Sequence, residues 1–235
     1  MTAGPWRDRV DSTLDVTHAE AAAGAPDGAW IAAREQADGR GSRGRTWHSP
    51  AGGLWLSVLR RPPDGAQGVE LASLRTGLSV RRTLAALLPD LPPIRLKWPN
   101  DLLVDDRKVG GILVEARWQG ARLLWVAIGI GINVRNSIPA ALRGQAAALA
   151  EWCPAADPVT LAAPVAEAVA GLSLVEATLS AAELREFRGC DWLVGRGIRG
   201  PVPGTGDGLD PDGRLRIRDA AGAVHRLAAG ETLAL

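Results

Sequence analysis

Apolar residues recur at helical spacing from Val69 to Leu88, where Pro89, Pro92 and Pro93 close the run. Ahead of it, Leu54 to Leu59 is an apolar stretch of strand length, and Trp30 to Arg34 predicts another strand. Ser12-Thr13-Leu14-Asp15 has the form of a helix start: a hydroxyl cap and an early acid, then an alanine-rich run ending at Gly24. Beyond the prolines the period shortens. Ile94 to Trp98, Leu102 to Val104, Val109 to Trp118 and Arg122 to Val134 predict a meander, turning at Asp105-Asp106-Arg107 and at Gln119-Gly120. Helical patterns return from Val159 to Val175 and from Ala181 to Phe187. From Gly195 to Gly230 glycines punctuate short strands, the texture of a small β-barrel that starts near residue 189. Hairpins with a few helices, and no β-α-β alternation, predict an α+β fold divided into residues 1–187 and 188–235.

No period is visible between Gln36 and Gly53, and a loop of that length inside a domain is usually functional or disordered. Gly39-Arg40-Gly41-Ser42-Arg43-Gly44 spells G-x-G-x-x-G. Pro50, Gly52 and Gly53 prevent the helix that a dinucleotide fingerprint needs, and Arg60 and Arg61 stand where its acid belongs. No V-A-I-K, H-R-D or D-F-G follows to make a kinase loop, and neither lysine follows a glycine as in a P-loop. Two readings stand. The loop, with Arg40, Arg43 and Arg45, is either a flap that wraps a dense anion or a solvated basic segment. Trp47 likewise either stacks on a base or joins the core.

Composition narrows the classes. Hydrophobic residues make up 46% and charged residues 23%, which excludes a disordered chain. The net charge of +1, without a basic block, argues against nucleic acid as a partner. The start, MTAGPWRDRVDST, has no apolar core and does not read as a signal peptide. The longest apolar run, Leu123 to Val134, is too short to span a bilayer. Cys153 and Cys190 form no framework or metal motif, and a cytoplasmic protein is expected.

Only two lysines, Lys97 and Lys108, survive beside 25 arginines. Either chance left them, or both positions need a compact ammonium that a planar guanidinium cannot replace. Lys97-Trp98-Pro99-Asn100-Asp101 leaves a strand through a proline that fixes the turn, so Lys97 and Asp101 sit in a rigid frame. Arg107-Lys108-Val109-Gly110-Gly111 starts the next arm, with glycines where a ligand can press on the backbone. Ala127-Ile128-Gly129-Ile130-Gly131-Ile132-Asn133 ends an apolar strand on an amide. His18, His48 and His225 share no ligand spacing and read as surface or packing residues, so no protein metal site is expected. No G-x-S-x-G anchors a serine nucleophile.

Taken in order, GRGSRGRTWHSP, KWPNDLL, RKVGGILVE and IGIGINV resemble the signature of the biotin protein ligases, over roughly residues 10–136. Ser12-Thr13 and Gln36 match the same family, and Gly208-Leu209-Asp210 through Gly230-Glu231-Thr232 resembles its small SH3-like domain. The resemblance implies a class-II-synthetase-like α+β domain with a mixed, mainly antiparallel sheet, plus an SH3-like C-terminal barrel. It implies two steps: biotin and ATP form biotinyl-5′-AMP, and a lysine of a biotin carboxyl carrier protein, of acetyl-CoA carboxylase or a related enzyme, then takes the biotinyl group. Carried over, Ser12, Thr13 and Gln36 contact the ureido ring, with Gly39 and Ser42 on the biotin side. Arg40 and Lys108 hold the carboxylate and transferred phosphate, and Gly111 lines the floor. Arg45 reaches the triphosphate, Trp47 stacks on adenine, and Asn133 helps place phosphate with Mg²⁺. Asp101 and Lys97 orient or deprotonate the incoming lysine.

Two positions depart from the family pattern: Leu14 stands where Asn is common and Ser42 where Arg is common. With the first motif at Ser12, the resemblance implies the ligase-only type without the winged-helix domain of the regulatory members, and hence no DNA partner and no membrane. The family's pairing through a sheet edge admits a homodimer. The alternatives are a lipoate-type ligase on the same fold and a non-catalytic biotin-binding module.

Overall fold

The computed structural model describes residues 5–229. Gly230, Glu231 and Thr232, read above as the end of the small domain, lie outside the described residues, as do residues 1–4. In chain order the first elements are β1 (Trp6–Val10), α1 (Thr13–Ala22), β2 (Trp30–Gln36), β3 (Leu54–Arg60) and α2 (Ala72–Leu87). The meander follows as β4 (Arg95–Lys97), β5 (Asp101–Val104), β6 (Arg107–Gln119) and β7 (Arg122–Ile132). Then come α3 (Pro158–Ala170), α4 (Ala181–Cys190), β8 (Gly197–Ile198), β9 (Gly204–Leu209), β10 (Leu215–Arg218) and β11 (Val224–Leu227). The first seven strands form one sheet in the order β1-β2-β3-β7-β6-β5-β4.

Every neighbouring pair in that sheet is antiparallel except β1 and β2, which run parallel. The chain therefore opens with a β-α-β unit, against the expectation of none. β1 reads Trp-Arg-Asp-Arg-Val, and an edge strand with charges facing solvent carries no apolar alternation to betray it. Ser12 caps α1 as its position implies, accepting from Leu14 N at 3.3 Å.

β3 is buried along its whole length, and the two-residue period tells which neighbour covers which side. Leu54, Leu56 and Val58 join the main core, and Arg60 donates to Val169 O of α3 at 3.2 Å. On the other side the Ser57 hydroxyl meets Thr13 of α1 at 2.7 Å. β7 repeats the division in register with β3: Ile128, Ile130 and Ile132 enter the core, while Gly129 and Gly131 face the other way. Gly129 lies under Leu14, where a β-carbon would meet the leucine at 3.1 Å.

The helix expected to reach Val175 stops at Ala170. Gly171 caps it, and two buried arginines draw the next carbonyls out of helical pairing. Arg60 takes Leu172 O at 2.7 Å, and Arg75 takes Glu176 O at 3.0 Å and Thr178 O at 2.9 Å while pairing with Glu183 at 2.9 Å. No helix among the described residues is long and apolar enough to cross a membrane.

The expected barrel is, over the described residues, an open antiparallel sheet in the order β11-β10-β9-β8. Ile198, Leu215, Ile217 and Leu227 continue the core of the large sheet. Two bonds tie the sheets together: Trp98 Nε1 donates to Gly213 O at 3.0 Å, and Leu179 N to Pro211 O at 2.7 Å.

At this junction Asp191 is buried, with Oδ1 accepting from Leu193 N at 2.8 Å and Oδ2 lacking a partner. Burial pushes its pKa up to about 6, against the backbone hydrogen bonds, which pull it down. A raised carboxyl pKa stabilises the fold at low pH, and that stability is lost as the pH climbs from about 4 through about 6. Asp191→Asn keeps the acceptor for Leu193 and cannot ionise. We expect it to be more stable than wild type above pH 7 by about 2–3 kcal/mol and similar below pH 4, measured by urea unfolding across pH.

Candidate active site

The glycines of β7 lie beside those of β6, since Gly111 pairs with Gly131 and Leu113 with Gly129. Gly111, Gly129 and Gly131 leave the sheet face low where the 36–53 loop crosses it, with Leu113 beside Gly129. A cavity of about 520 Å³ occupies the space between that face, the start of α1 and the loop. Every candidate residue read from the sequence lines it except Gly39. Gly39 instead fills a packing position: a β-carbon there would meet Trp47 O at 2.4 Å and Ser49 Oγ at 2.5 Å. The loop is ordered by bonds from Trp47 N to Gly39 O and from Gly41 N to Arg45 O, both 2.7 Å.

One end of the cavity is neutral and polar. Thr13 donates through N and Oγ1 to Gln36 Oε1 at 2.9 and 3.1 Å. Gln36 Nε2 donates to Ser49 Oγ at 2.8 Å, and Ser49 Oγ donates to Trp47 O at 3.0 Å. Ser49 and Ser57, which complete this network, were not read from the sequence. Serines in loops and strands carry no local signal of such pairing.

The other end is cationic. Lys108 Nζ sits 2.5 Å from Asp101 Oδ1 and 4.9 Å from the Trp47 ring centre. Trp47 lies flat along the glycine floor: β-carbons on Gly111 and Gly131 would meet its ring at 3.1 and 2.7 Å. Its indole N–H is buried without a hydrogen-bond partner, a donor placed for an acceptor that the protein does not supply. Arg45 folds back onto Ser42, donating to its carbonyl at 3.2 Å and its hydroxyl at 3.1 Å. Lys97 stands opposite Asp101 in the β4–β5 register. Burial holds its ammonium below the usual lysine range, while Asp101 works the other way.

Arg40 reaches α1 and β6, donating to Asp15 Oδ2 at 2.8 Å and to Glu115 at 3.4 Å. The hydrogen bond that it donates to Asp15 raises its pKa above the ordinary guanidinium value. Glu115 also meets His18 Nε2 at 2.9 Å, and Trp125 donates to His18 Nδ1 at 2.9 Å. In the neutral ring the proton therefore sits on Nε2, toward Glu115. His18 is part of a polar relay behind the site rather than a surface or packing residue, and His48 lines the cavity. Asp15 and Glu115 lie inside the quoted motifs, but their pairing with Arg40 arises only when loop, helix and strand converge.

Asn133 is held by Asn136, whose Nδ2 donates to Asn133 Oδ1 at 3.1 Å. Asn100 does not face a ligand alone: its Nδ2 clamps Ile112 O at 2.8 Å and so fixes the KWPND turn to β6. No cluster of three or more His, Cys, Asp or Glu suited to a metal occurs among the described residues.

The site is thus a sheet face under a basic flap, with amide and hydroxyl groups at one end and lysines at the other. The chain belongs to the biotin/lipoate A/B protein ligase family, whose model matches residues 6–133. Over 126 residues it is 39% identical to the biotin--[acetyl-CoA-carboxylase] ligase of Paracoccus denitrificans, an alignment that spans 52% of each chain. The chain thus matches about half the length of that relative. To the ligase of the same name from Mycobacterium tuberculosis it is 31% identical across 92% of this chain and 83% of the other. A crystal structure of the biotin protein ligase from Aquifex aeolicus, in complex with biotin and ATP, matches with a TM-score of 0.77 at 26% identity, covering 97% of each chain.

The floor yields a direct test. Gly131→Ala places a methyl group 2.7 Å from the Trp47 indole nitrogen, so the ring must shift off the floor. We expect a loss of about 1–3 kcal/mol in urea unfolding. Gly129→Ala meets only the flexible end of Leu14 at 3.1 Å and should cost less.

Proposed function

We propose that the protein activates biotin with ATP and ligates it to a lysine of a biotin carboxyl carrier protein through biotinyl-5′-AMP. The observation that carries this reading is the division of the cavity. Thr13 and Gln36 present uncharged hydrogen-bonding groups to a ureido ring, and Lys108 and Asp101 stand at the end where a carboxylate would lie. In the first step the biotin carboxylate oxygen attacks the α-phosphorus of ATP, and the bond to the bridging oxygen breaks to release pyrophosphate. Two anions must meet there, and the ammonium of Lys108 and the guanidinium of Arg40 offset their repulsion. Arg40 leaves Asp15 for the substrate, an exchange of one carboxylate for another that costs little at a half-exposed site.

In the second step the acceptor amine nitrogen attacks the acyl carbon of the mixed anhydride. The bond to the phosphate oxygen breaks, AMP departs with that electron pair, and the amine proton leaves by way of Asp101. The 36–53 loop keeps water from the anhydride. Trp47, with its N–H unpaired, offers a face and a donor to the adenine. Asn133 Oδ1 keeps one lone pair beyond the bond from Asn136, which suits a hard cation that arrives with the phosphates. Mg²⁺ bound there would draw off the charge that builds on pyrophosphate. We read residues 1–187 as the catalytic unit and 188–235 as the SH3-like unit.

The deciding experiment is biotin-dependent exchange of pyrophosphate into ATP, with lipoate as the competing acid. Exchange with lipoate alone would reassign the substrate. Lys108→Ala and Lys108→Arg are expected to lower exchange by about 2–4 kcal/mol, roughly thirty- to a thousand-fold, and near-wild-type exchange in both would remove Lys108 from the reaction. Ser42→Arg adds a cation beside the adenylate. It should slow the release of preformed biotinyl-5′-AMP about ten- to a hundred-fold; unchanged or faster release would mean that the site is complete without it.

A further inference from the structure

The rim of the cavity is finished by a side chain from beyond residues 6–133, the span that the family model matches. Trp192 follows α4 in the turn that leads to β8. Its ring lies 5.0 Å from the Lys97 ammonium and 4.0 Å from the Arg196 guanidinium carbon. The indole N–H donates to Asp106 Oδ1 at 2.5 Å, and Arg196 Nη2 grips both oxygens of Asp106 at 2.9 and 3.0 Å. The backbone is fixed as well. Trp192 N donates to Leu96 O at 2.9 Å, one residue from Lys97, and Asp191 holds Leu193 N at 2.8 Å. Ring, nitrogen and main chain are therefore all fixed relative to Lys97.

Lysine stems are flexible, and an ammonium over an aromatic face is held by the ring's quadrupole. The charged groups that face this ammonium are Asp101 from β5, Lys108 from β6, Arg45 from the loop and Arg196 beside the ring. Asp106 is engaged by Arg196 and Trp192 rather than by the lysine. Lys97 is thus a partly desolvated positive charge with a defined position at the entrance of the site.

We propose that Trp192 is a positioning residue for acyl transfer, keeping the Lys97 ammonium where the acceptor lysine enters. The inference rests on the ligation reading above. An acceptor lysine arrives as an ammonium and attacks only after losing its proton. A fixed cation nearby disfavours its charged form and lowers its pKa, and the proton departs through Asp101. Without the ring, Lys97 turns toward solvent, the acceptor holds its proton more tightly, and transfer requires a higher pH.

The test is single-turnover transfer from enzyme-bound biotinyl-5′-AMP to a purified biotin-accepting carrier domain, followed across pH. Trp192→Leu should lower transfer about tenfold at neutral pH, and should move the alkaline rise of the rate upward by about half a pH unit to one unit. Trp192→Phe keeps the aromatic face and should recover most of both effects. In a Lys97→Met background, Trp192→Leu should add little. A Trp192→Leu profile that superimposes on wild type overturns the inference. So does an equal loss on top of Lys97→Met, which would mean that the ring acts by packing alone. If Trp192→Leu does not fold, Lys97→Met decides, and an unshifted profile overturns the inference. Wild-type enzyme without biotin-dependent pyrophosphate exchange would overturn the ligation reading itself, and this inference with it.

Discussion

β7 and the first half of β6 lie between two packed layers, and along a regular strand side chains alternate faces. Isoleucines 128, 130 and 132 therefore fill the core while Gly129 and Gly131 clear the opposite face, in register with Gly111. No other residue type serves both sides at once. A β-carbon at Gly131 would strike Trp47, and one at Gly129 would strike Leu14, which shapes the end of the cavity beside α1. The fold's stability and the cavity's depth are thus written into one strand in alternate letters.

The cations gathered over that floor would repel one another if they stood alone. Three of them have a carboxylate or an aromatic ring: Lys108 has Asp101 and Trp47, Arg40 has Asp15 and Glu115, and Lys97 has Trp192 with Asp101 opposite in register, while Arg45 bonds to Ser42. These partners offset the repulsion among the cations. They are also partly exposed, so an exchange of partners costs little. The hydroxyl–amide end has no such exchange to make, because its bonds already close among Thr13, Gln36, Ser49 and Ser57. One end of the site is preformed, and the other is poised to trade partners.

The small sheet contributes more than a cap. Through Gly213 it holds Trp98 in the same turn that presents Lys97 and Asp101, and the connection leading into it holds Asp106 at the next turn through Trp192 and Arg196. The two turns that frame the site are therefore fixed from outside the large sheet. Next to the buried Asp191, Trp192 N donates to Leu96 O and ties the connection to β4.

Much of this was legible in residue order alone. Helical and strand periods located the main helices and the meander, the hydroxyl before α1 marked its cap, and four motifs in order marked the family and a little over half of the cavity's lining. Local pattern suffices there because period and turn chemistry are local properties of the chain. The edge strand β1 escaped because solvent covers much of it, so its charges alternate with nothing. The end of α3 escaped because arginines more than one hundred residues away in sequence take its carbonyls. Gly39 was placed on the ligand but packs against Trp47 O, a distinction that depends on how the loop folds back. Asp15 and Glu115 lay in the motifs without a sign of their pairing with Arg40, and His18, Asn136 and Trp192 had ordinary sequence contexts. Their roles come from partners brought together by chain crossing, and the free energy of a pair depends on distance and burial, which only the tertiary structure sets.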